Sequence, residues 1–342
     1  MPPVIDIHVH IAARERRDCR VSNKMLGLPA FSYMVAADGI NPIALEQHFD
    51  QTIRDHILAA VQSAPSVNRA VLLAIDGVYS DNGVFQDNES HFIVSNDYVR
   101  ELAKANHPRV LFGASINPNR GEGPGMKELE RCLDPASGPL PVLVKWVPNS
   151  QIIDPADKRH DWFYKALANL QLPLLSHTGP EYAVPVPHGK IDYQQLGDPR
   201  RLERALDLGT KVIAAHAASR FFPLEKYDYV KDLGEMMNKA EAKKWKLFTD
   251  VSAMCVVCRA LETINRVLEL IPPQRMILGS DYPVPVNDMP LPFMRNTSFE
   301  RFVNIVAIHN PIEKNYQQLL AMGFPQSIGT KAAEVLPPHA SA

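Results

Sequence analysis

Eight short apolar runs, most of them carrying β-branched residues, constrain this chain more than any other feature. They are Val4–His10, Ala70–Ile75, Val110–Ile116, Pro141–Val147, Pro173–His177, Lys211–His216, Lys246–Val251 and Met276–Gly279. Their near-continuous apolar character suits strands of a parallel sheet covered on both faces. Helical spacing of apolar residues lies between them, over Leu45–Gln62, Asn96–Asn106, Met126–Leu133, Trp162–Leu170, Arg200–Leu208, Tyr229–Ala242 and Ala260–Leu270. Asn96 and Asp97 are expected to cap the second of these, and Pro173 and Pro272 to follow helix ends. Strict strand–helix alternation predicts parallel pairing, and eight units favour a closed (β/α)8 TIM barrel over an open sheet. No Gly-x-Gly-x-x-Gly follows the first run, which removes the main sign of a dinucleotide fold.

Three stretches interrupt the alternation: Ile11–Ala44, Gly179–Asp198 and Tyr282–Thr297. Each leaves the C-terminal end of a strand, the face on which barrel enzymes carry their active sites. The loops are expected to form lids or substrate walls; Tyr33, Met34 and Tyr182 are candidates for an apolar wall, with core packing or loop anchoring the favoured reading of each. Ser298–Leu336 predicts two or three short helices beneath the barrel. The whole reads as a single domain over 1–342, with the barrel at about 4–300 and C-terminal helices at about 300–336.

The 342 residues are 46% hydrophobic and 22% charged, as in a soluble globular protein, and the formal charge of −2 gives no basic surplus for nucleic acid. No apolar run reaches the roughly 20 residues of a membrane span. The N-terminus lacks the order of regions of a signal peptide, so a cytoplasmic protein is expected. Nothing in the sequence marks an interface, though a homo-oligomer is compatible with it. Cys19, Cys132, Cys255 and Cys258 are too few and too scattered for a disulfide scaffold. Cys255-Val-Val-Cys258 has redox spacing, but two small buried residues account for it equally well.

Ionisable residues recur where the apolar runs end. His8-Val9-His10 closes the first; residues two apart on a strand share a face, so both imidazoles can enter the barrel mouth. His177 closes the fifth, His216 the sixth, and Asp281 follows the eighth. A carboxylate buried among them is costly unless paired or bound to a cation, and neutral imidazoles supply matching lone pairs. Such a donor set suits a divalent metal, zinc first, with manganese, iron, cobalt or nickel also able to bind, as one or two ions.

Taken in that order, these motifs resemble the amidohydrolase superfamily of metal-dependent barrels, nearest to the branch that includes aminocarboxymuconate-semialdehyde decarboxylase. The resemblance runs from His8 to Asp281. It implies that His8, His10 and His177 bind the metal, with Asp281 as a ligand or as the base beside it. It also implies that His216 holds a second metal or contacts substrate and water. Lys145, in the fourth run, is open to three roles: a carbamylated bridge between two metals, a free ammonium facing a substrate anion, or a lysine paired with a neighbouring acid. The implied chemistry is hydrolysis of an ester, lactone or amide of a small molecule through a metal-activated water, with Asp281, His216 and Lys145 as catalytic residues. Decarboxylation or hydration at the same centre is the alternative, and a non-catalytic metal-binding scaffold a third reading. Arg120, Trp146 and Glu181 are candidates for substrate contact, and His188 sits in a loop on the same face. Asp250 and Ser252 are placed to orient a ligand histidine from behind.

Overall fold

A computed structural model describes residues 2–187, 191–288 and 297–342. His188 and residues 289–296, within the loop after the eighth run, lie outside them. Among the described residues the main sheet holds eight strands: β1 Ile5–His10, β2 Arg69–Leu73, β3 Val110–Ala114, β4 Pro141–Trp146, β5 Leu174–Ser176, β6 Val212–Ala214, β7 Leu247–Asp250 and β8 Met276–Ile277. All neighbouring pairs are parallel and in sequence order. The ends meet through Ile7 N donating to Leu278 O (3.1 Å), Asp281 N to His8 O (2.8 Å) and His10 N to Tyr282 O (2.7 Å), which close the (β/α)8 barrel.

Seven helices alternate with the strands: α1 Phe49–Ser63, α2 Asn96–Ala105, α3 Glu122–Cys132, α4 Asp161–Leu170, α5 Glu203–Asp207, α6 Val230–Lys239 and α7 Leu261–Leu270. Helix α1 shows why: Phe49, Ile53, Ile57, Ala60 and Val61 are its buried residues, a stripe at helical spacing. The helix predicted from Leu45 is broken at His48, whose φ of −143° and ψ of 64° are not helical. A new helix starts there because the Glu15 carboxylate accepts from Phe49 N (2.7 Å). The cap of α2 is neither Asn96 nor Asp97. Ser95 Oγ accepts from Tyr98 N (3.1 Å), and Asn96 is instead drawn inward to the backbone of Ser115.

The C-terminal segment forms α8 Phe299–Val306, α9 Pro311–Ala321 and α10 Ile328–Val335. Only the last lies beneath the barrel: Ala332, Val335, Leu336 and Ala340 complete an apolar plug with Ile5, Ile7, Leu73, Leu143 and Ile213. Helix α9 joins the outer ring against α1, where Asn310 and Glu313 bond to the Ala60 carbonyl and the Ser66 amide. No helix among the described residues is long and apolar enough to cross a membrane.

One irregularity positions the site. Ile5 and Ile7 point into the barrel plug, yet Val9 packs outward with the surrounding helices. Strict alternation cannot do both. The pairing register shifts between Asp6 and Val9, a bulge that reverses the parity and turns His8 and His10 inward. Asp6 holds the bulge, its Oδ1 accepting from His8 N (3.0 Å) and Ser280 N (3.0 Å).

Candidate active site

The mouth above the plug is floored by the predicted ionisable residues. His8 Nε2, His10 Nε2 and Asp281 Oδ1 form a triangle with sides of 3.2, 3.2 and 3.3 Å. Lys145, on β4, is buried, and its Nζ lies 3.0 Å from His8 Nε2. His216 Nε2 is 3.1 Å from His177 Nδ1, and His216 Nδ1 is 4.0 Å from Asp281 Oδ2. Four histidines, one aspartate and one lysine from five strand ends thus meet.

Asp250 and Ser252 fix how the rings are used. Asp250 Oδ2 accepts from His8 Nδ1 (2.7 Å), leaving Nε2 turned to the centre. Ser252 donates its hydroxyl proton to Asp250 Oδ1 (2.5 Å), so its oxygen accepts from His216 Nδ1 (2.8 Å). His216 Nε2 therefore carries a lone pair. His177 Nε2 donates to Pro180 O (3.2 Å), so in the neutral ring Nδ1 also carries one. Two lone pairs then face each other across 3.1 Å, with Glu181 Oε2 at 3.4 Å from the same His177 nitrogen.

The charge states follow from burial. It pushes His10 down to about 4, His216 to about 3 and His177 well below the usual range, so these rings are neutral imidazoles at pH 7. Burial also opposes ionisation of Asp281 and Asp250. The surrounding imidazoles and the bonds from His10 and His8 outweigh it, and both carboxyls lie below the ordinary range. Burial lowers Lys145 to about 8 and raises Glu181 to about 7.

The donor chemistry fits a divalent metal. Neutral imidazole nitrogens and an ionised carboxylate oxygen converge at separations that one ion with bonds of about 2.0–2.2 Å spans. A cation relieves the facing lone pairs of His177 and His216, as would a proton from Glu181 or a bridging water. His8, His216 and Asp250 also stand close together, but their contacts are already hydrogen bonds among themselves and Ser252.

Backbone geometry presents these groups at some cost. His216, Ala217 and Ala218 have φ of 58°, 49° and 52°, and Asp281 has 65°, a left-handed conformation that non-glycine residues hold only where the surroundings enforce it. Gly279 stands between the strands because a Cβ there would lie 3.0–3.3 Å from the Cβ atoms of His8, Ser252 and Asp250.

The triangle opens into a cavity of about 440 Å³, within the range of small-molecule sites. All three inserted loops wall it: Tyr33 and Met34 from the first, Tyr182 and Val184 from the second, Pro283 and Val284 from the third. Glu181 is in the wall, its Oε1 accepting from Ala183 N and Val184 N.

Two predicted substrate contacts are not brought to this cavity. Arg120 is gripped by Asp76 through Nε (2.6 Å) and Nη2 (2.7 Å) and stacks over Tyr79. Its fork is already taken. Trp146 points the opposite way from Lys145, as strand alternation requires, and stacks on Phe163 in the layer between sheet and helices. Cys255 and Cys258 are both free, and burial raises both thiols, so neither is a thiolate at pH 7. His160 is buried and bonded to Asn119 Oδ1 (2.9 Å). Two residues unremarked in the sequence now stand out. Asp6 is a lone acid inside an apolar strand, a signal that was available; Arg259, in the cavity wall, carried none.

A barrel whose C-terminal mouth gathers imidazoles and a carboxylate in this way defines the class of amidohydrolase-type barrel enzymes. The chain belongs to the amidohydrolase family, whose model, described as Amidohydrolase, matches residues 5–297. No curated protein matches the sequence. Solved structures share the fold over nearly their whole length. An uncharacterised TIM-barrel protein of Bordetella bronchiseptica is 15% identical, with 98% of this chain and 95% of that one covered and a TM-score of 0.59. A 2,6-dihydroxybenzoate decarboxylase from Rhizobium is 13% identical, with 99% and 98% covered and a TM-score of 0.55. A proposed 2-pyrone-4,6-dicarboxylic acid hydrolase from Pseudomonas putida is 11% identical, with 98% and 97% covered and a TM-score of 0.53. A decarboxylase and a proposed hydrolase stand side by side, so the fold does not choose the reaction.

Proposed function

We propose that this protein is a metal-dependent hydrolase of an ester, lactone or amide bond in a small, largely apolar molecule, with zinc as its metal. The observation that carries this reading is Asp281: a carboxylate with one oxygen set between His8 Nε2 and His10 Nε2, at the floor of a substrate-sized cavity. His8, His10 and Asp281 would hold the ion, with His177 and His216 completing its surroundings. A divalent ion held there supplies Lewis acidity towards a carbonyl oxygen and towards water. Asp281 accepts the proton of the attacking water and returns it to the leaving group. Lys145, as an ammonium, donates to the developing oxyanion. His216 has its lone pair on Nε2 and serves as acceptor or ligand.

Glu181 supports a second reading. Raised to about 7, it holds a proton near neutrality beside His177, which a decarboxylase protonating carbon requires. The test is a panel of aryl esters, lactones and anilides assayed with the zinc-loaded protein, with aromatic carboxylic acids assayed for carbon dioxide release. Chelation is expected to abolish turnover and zinc to restore it. Carbon dioxide release from the acids, with esters, lactones and anilides untouched, selects the lyase, and activity indifferent to chelation removes both readings.

Asp250→Asn supplies a sharper test of the metal centre. The substitution keeps the shape but weakens the acceptor that sets the His8 tautomer and, through Ser252, that of His216. Zinc affinity, measured against a competing chelator, is expected to fall about 10- to 100-fold. An unchanged affinity would show that His8 and His216 need no such alignment.

A further inference from the structure

Arg259 is 3% exposed and lines the cavity, yet among the described residues no carboxylate oxygen lies within 4.0 Å of its nitrogens. Its contacts are to neutral acceptors. Nε donates to Ala253 O (3.2 Å), and Nη1 to Ser219 O (3.2 Å), Ser219 Oγ (2.5 Å) and Arg220 O (2.5 Å). No described residue accepts from Nη2, and that nitrogen is absent from the sealed, unpartnered polar atoms of the interior. The guanidinium stands 5.5 Å from the centroid of the Phe221 ring, with Val256, Val257 and Phe222 sharing the wall. Arg120 and Arg220 each meet a carboxylate, on Asp76 and Glu262, whereas Arg109 and Arg275, like Arg259, donate to carbonyl oxygens; of these three Arg259 is the buried one. Asp281, Asp228 and Glu225 favour its charge only from beyond contact distance; burying a cation without a direct ion pair is costly, and a planar fork is suited to a carboxylate.

We propose that Arg259 is a specificity-determining residue: it receives the carboxylate of an anionic substrate whose apolar body lies in the cavity and whose reacting bond reaches Asp281. Ser219 and Arg220 hold the guanidinium by Nη1, which leaves Nη2 to the ligand. Burial brings Arg259 down only to about 10, so it remains a cation at neutral pH. The proposal deepens the hydrolase reading by naming the substrate class, and rests on it only for where the bond is broken.

The probes are benzoate and its neutral isostere benzamide, titrated calorimetrically into the full chain after metal removal. Without metal, carboxylate binding reports on protein cations alone. Benzoate is expected to bind at least tenfold more tightly than benzamide, Arg259→Gln to erase that preference while leaving benzamide unchanged, and Arg259→Lys to keep part of it. Equal binding of the two probes to the wild type, or a preference that survives in R259Q, overturns the proposal. If R259Q does not fold, a crystal structure of the wild type with benzoate decides. The carboxylate on Nη2 supports the assignment; the carboxylate on Lys145, or no bound benzoate, ends it. An Arg259-dependent preference in a protein that hydrolyses nothing leaves the proposal standing and fails the hydrolase reading alone.

Discussion

Asp281→Asn is expected to lower kcat/KM by about 10² to 10⁴, the range lost when a positioned general base is removed. At 1.36 kcal/mol per decade this is about 3–5 kcal/mol of transition-state stabilisation. Asparagine is the informative substitution because residue 281 has a φ of 65°. Asparagine tolerates that left-handed conformation, whereas alanine would add backbone strain to the chemical loss. The amide from residue 281 to His8 O (2.8 Å) is retained, so the closure between β8 and β1 survives. What disappears is the negative charge between His8 and His10, and with it the acceptor for the water proton. Zinc content separates two ways of failing. A loss of kcat at full occupancy marks a base; a loss restored by excess zinc marks a ligand. The measurement is kcat/KM on the best substrate of the ester and lactone panel, with circular dichroism to establish the fold. A variant retaining more than a tenth of the activity removes Asp281 from the mechanism.

Much of this site was legible because its positions follow from strand ends. A parallel strand buried on both faces is continuously apolar, so a histidine or aspartate at its C-terminal end is conspicuous, as at His177, His216 and Asp281. All eight runs became strands, shortened mainly where chains leave the ladder, as Met276–Gly279 became Met276–Ile277. What was not legible depends on parity and on partners distant in sequence. Two-residue spacing said that His8 and His10 share a face but not which face, and the bulge near Asp6 decides that. Arg120 sits in a loop on the active face, and only the fold reveals that Asp76, 44 positions earlier, holds both arms of its fork. Arg259 is the converse case. A cation without an acid in contact is defined by what does not touch it, and no local pattern encodes that. Helix ends were misjudged for a related reason: Glu15 starts α1 from a different loop, across 34 positions.

Trp146→Ala is expected to destabilise the chain by about 3–5 kcal/mol, the cost of emptying a large aromatic site in a packed core. Its neighbour Lys145 faces the mouth, so adjacent residues on one strand divide between chemistry and packing. The indole is fully buried, 5.2 Å from the Phe163 ring at an interplanar angle of 17° and 5.9 Å from Tyr164, and Nε1 donates to Ile116 O (2.8 Å). Alanine would remove the stacking and leave the Ile116 carbonyl without its donor. Trp146→Phe separates the two effects. It retains most of the packing and loses the hydrogen bond, and is expected to cost about 1–3 kcal/mol. Denaturant midpoints at a constant slope give both values. The same pair of variants tests the sequence expectation that Trp146 contacts substrate. Packing on α4 predicts that W146F changes stability with KM unaltered. A raised KM at unchanged stability would place the indole in the cavity and reverse the orientation that β4 gives to Lys145 and Trp146.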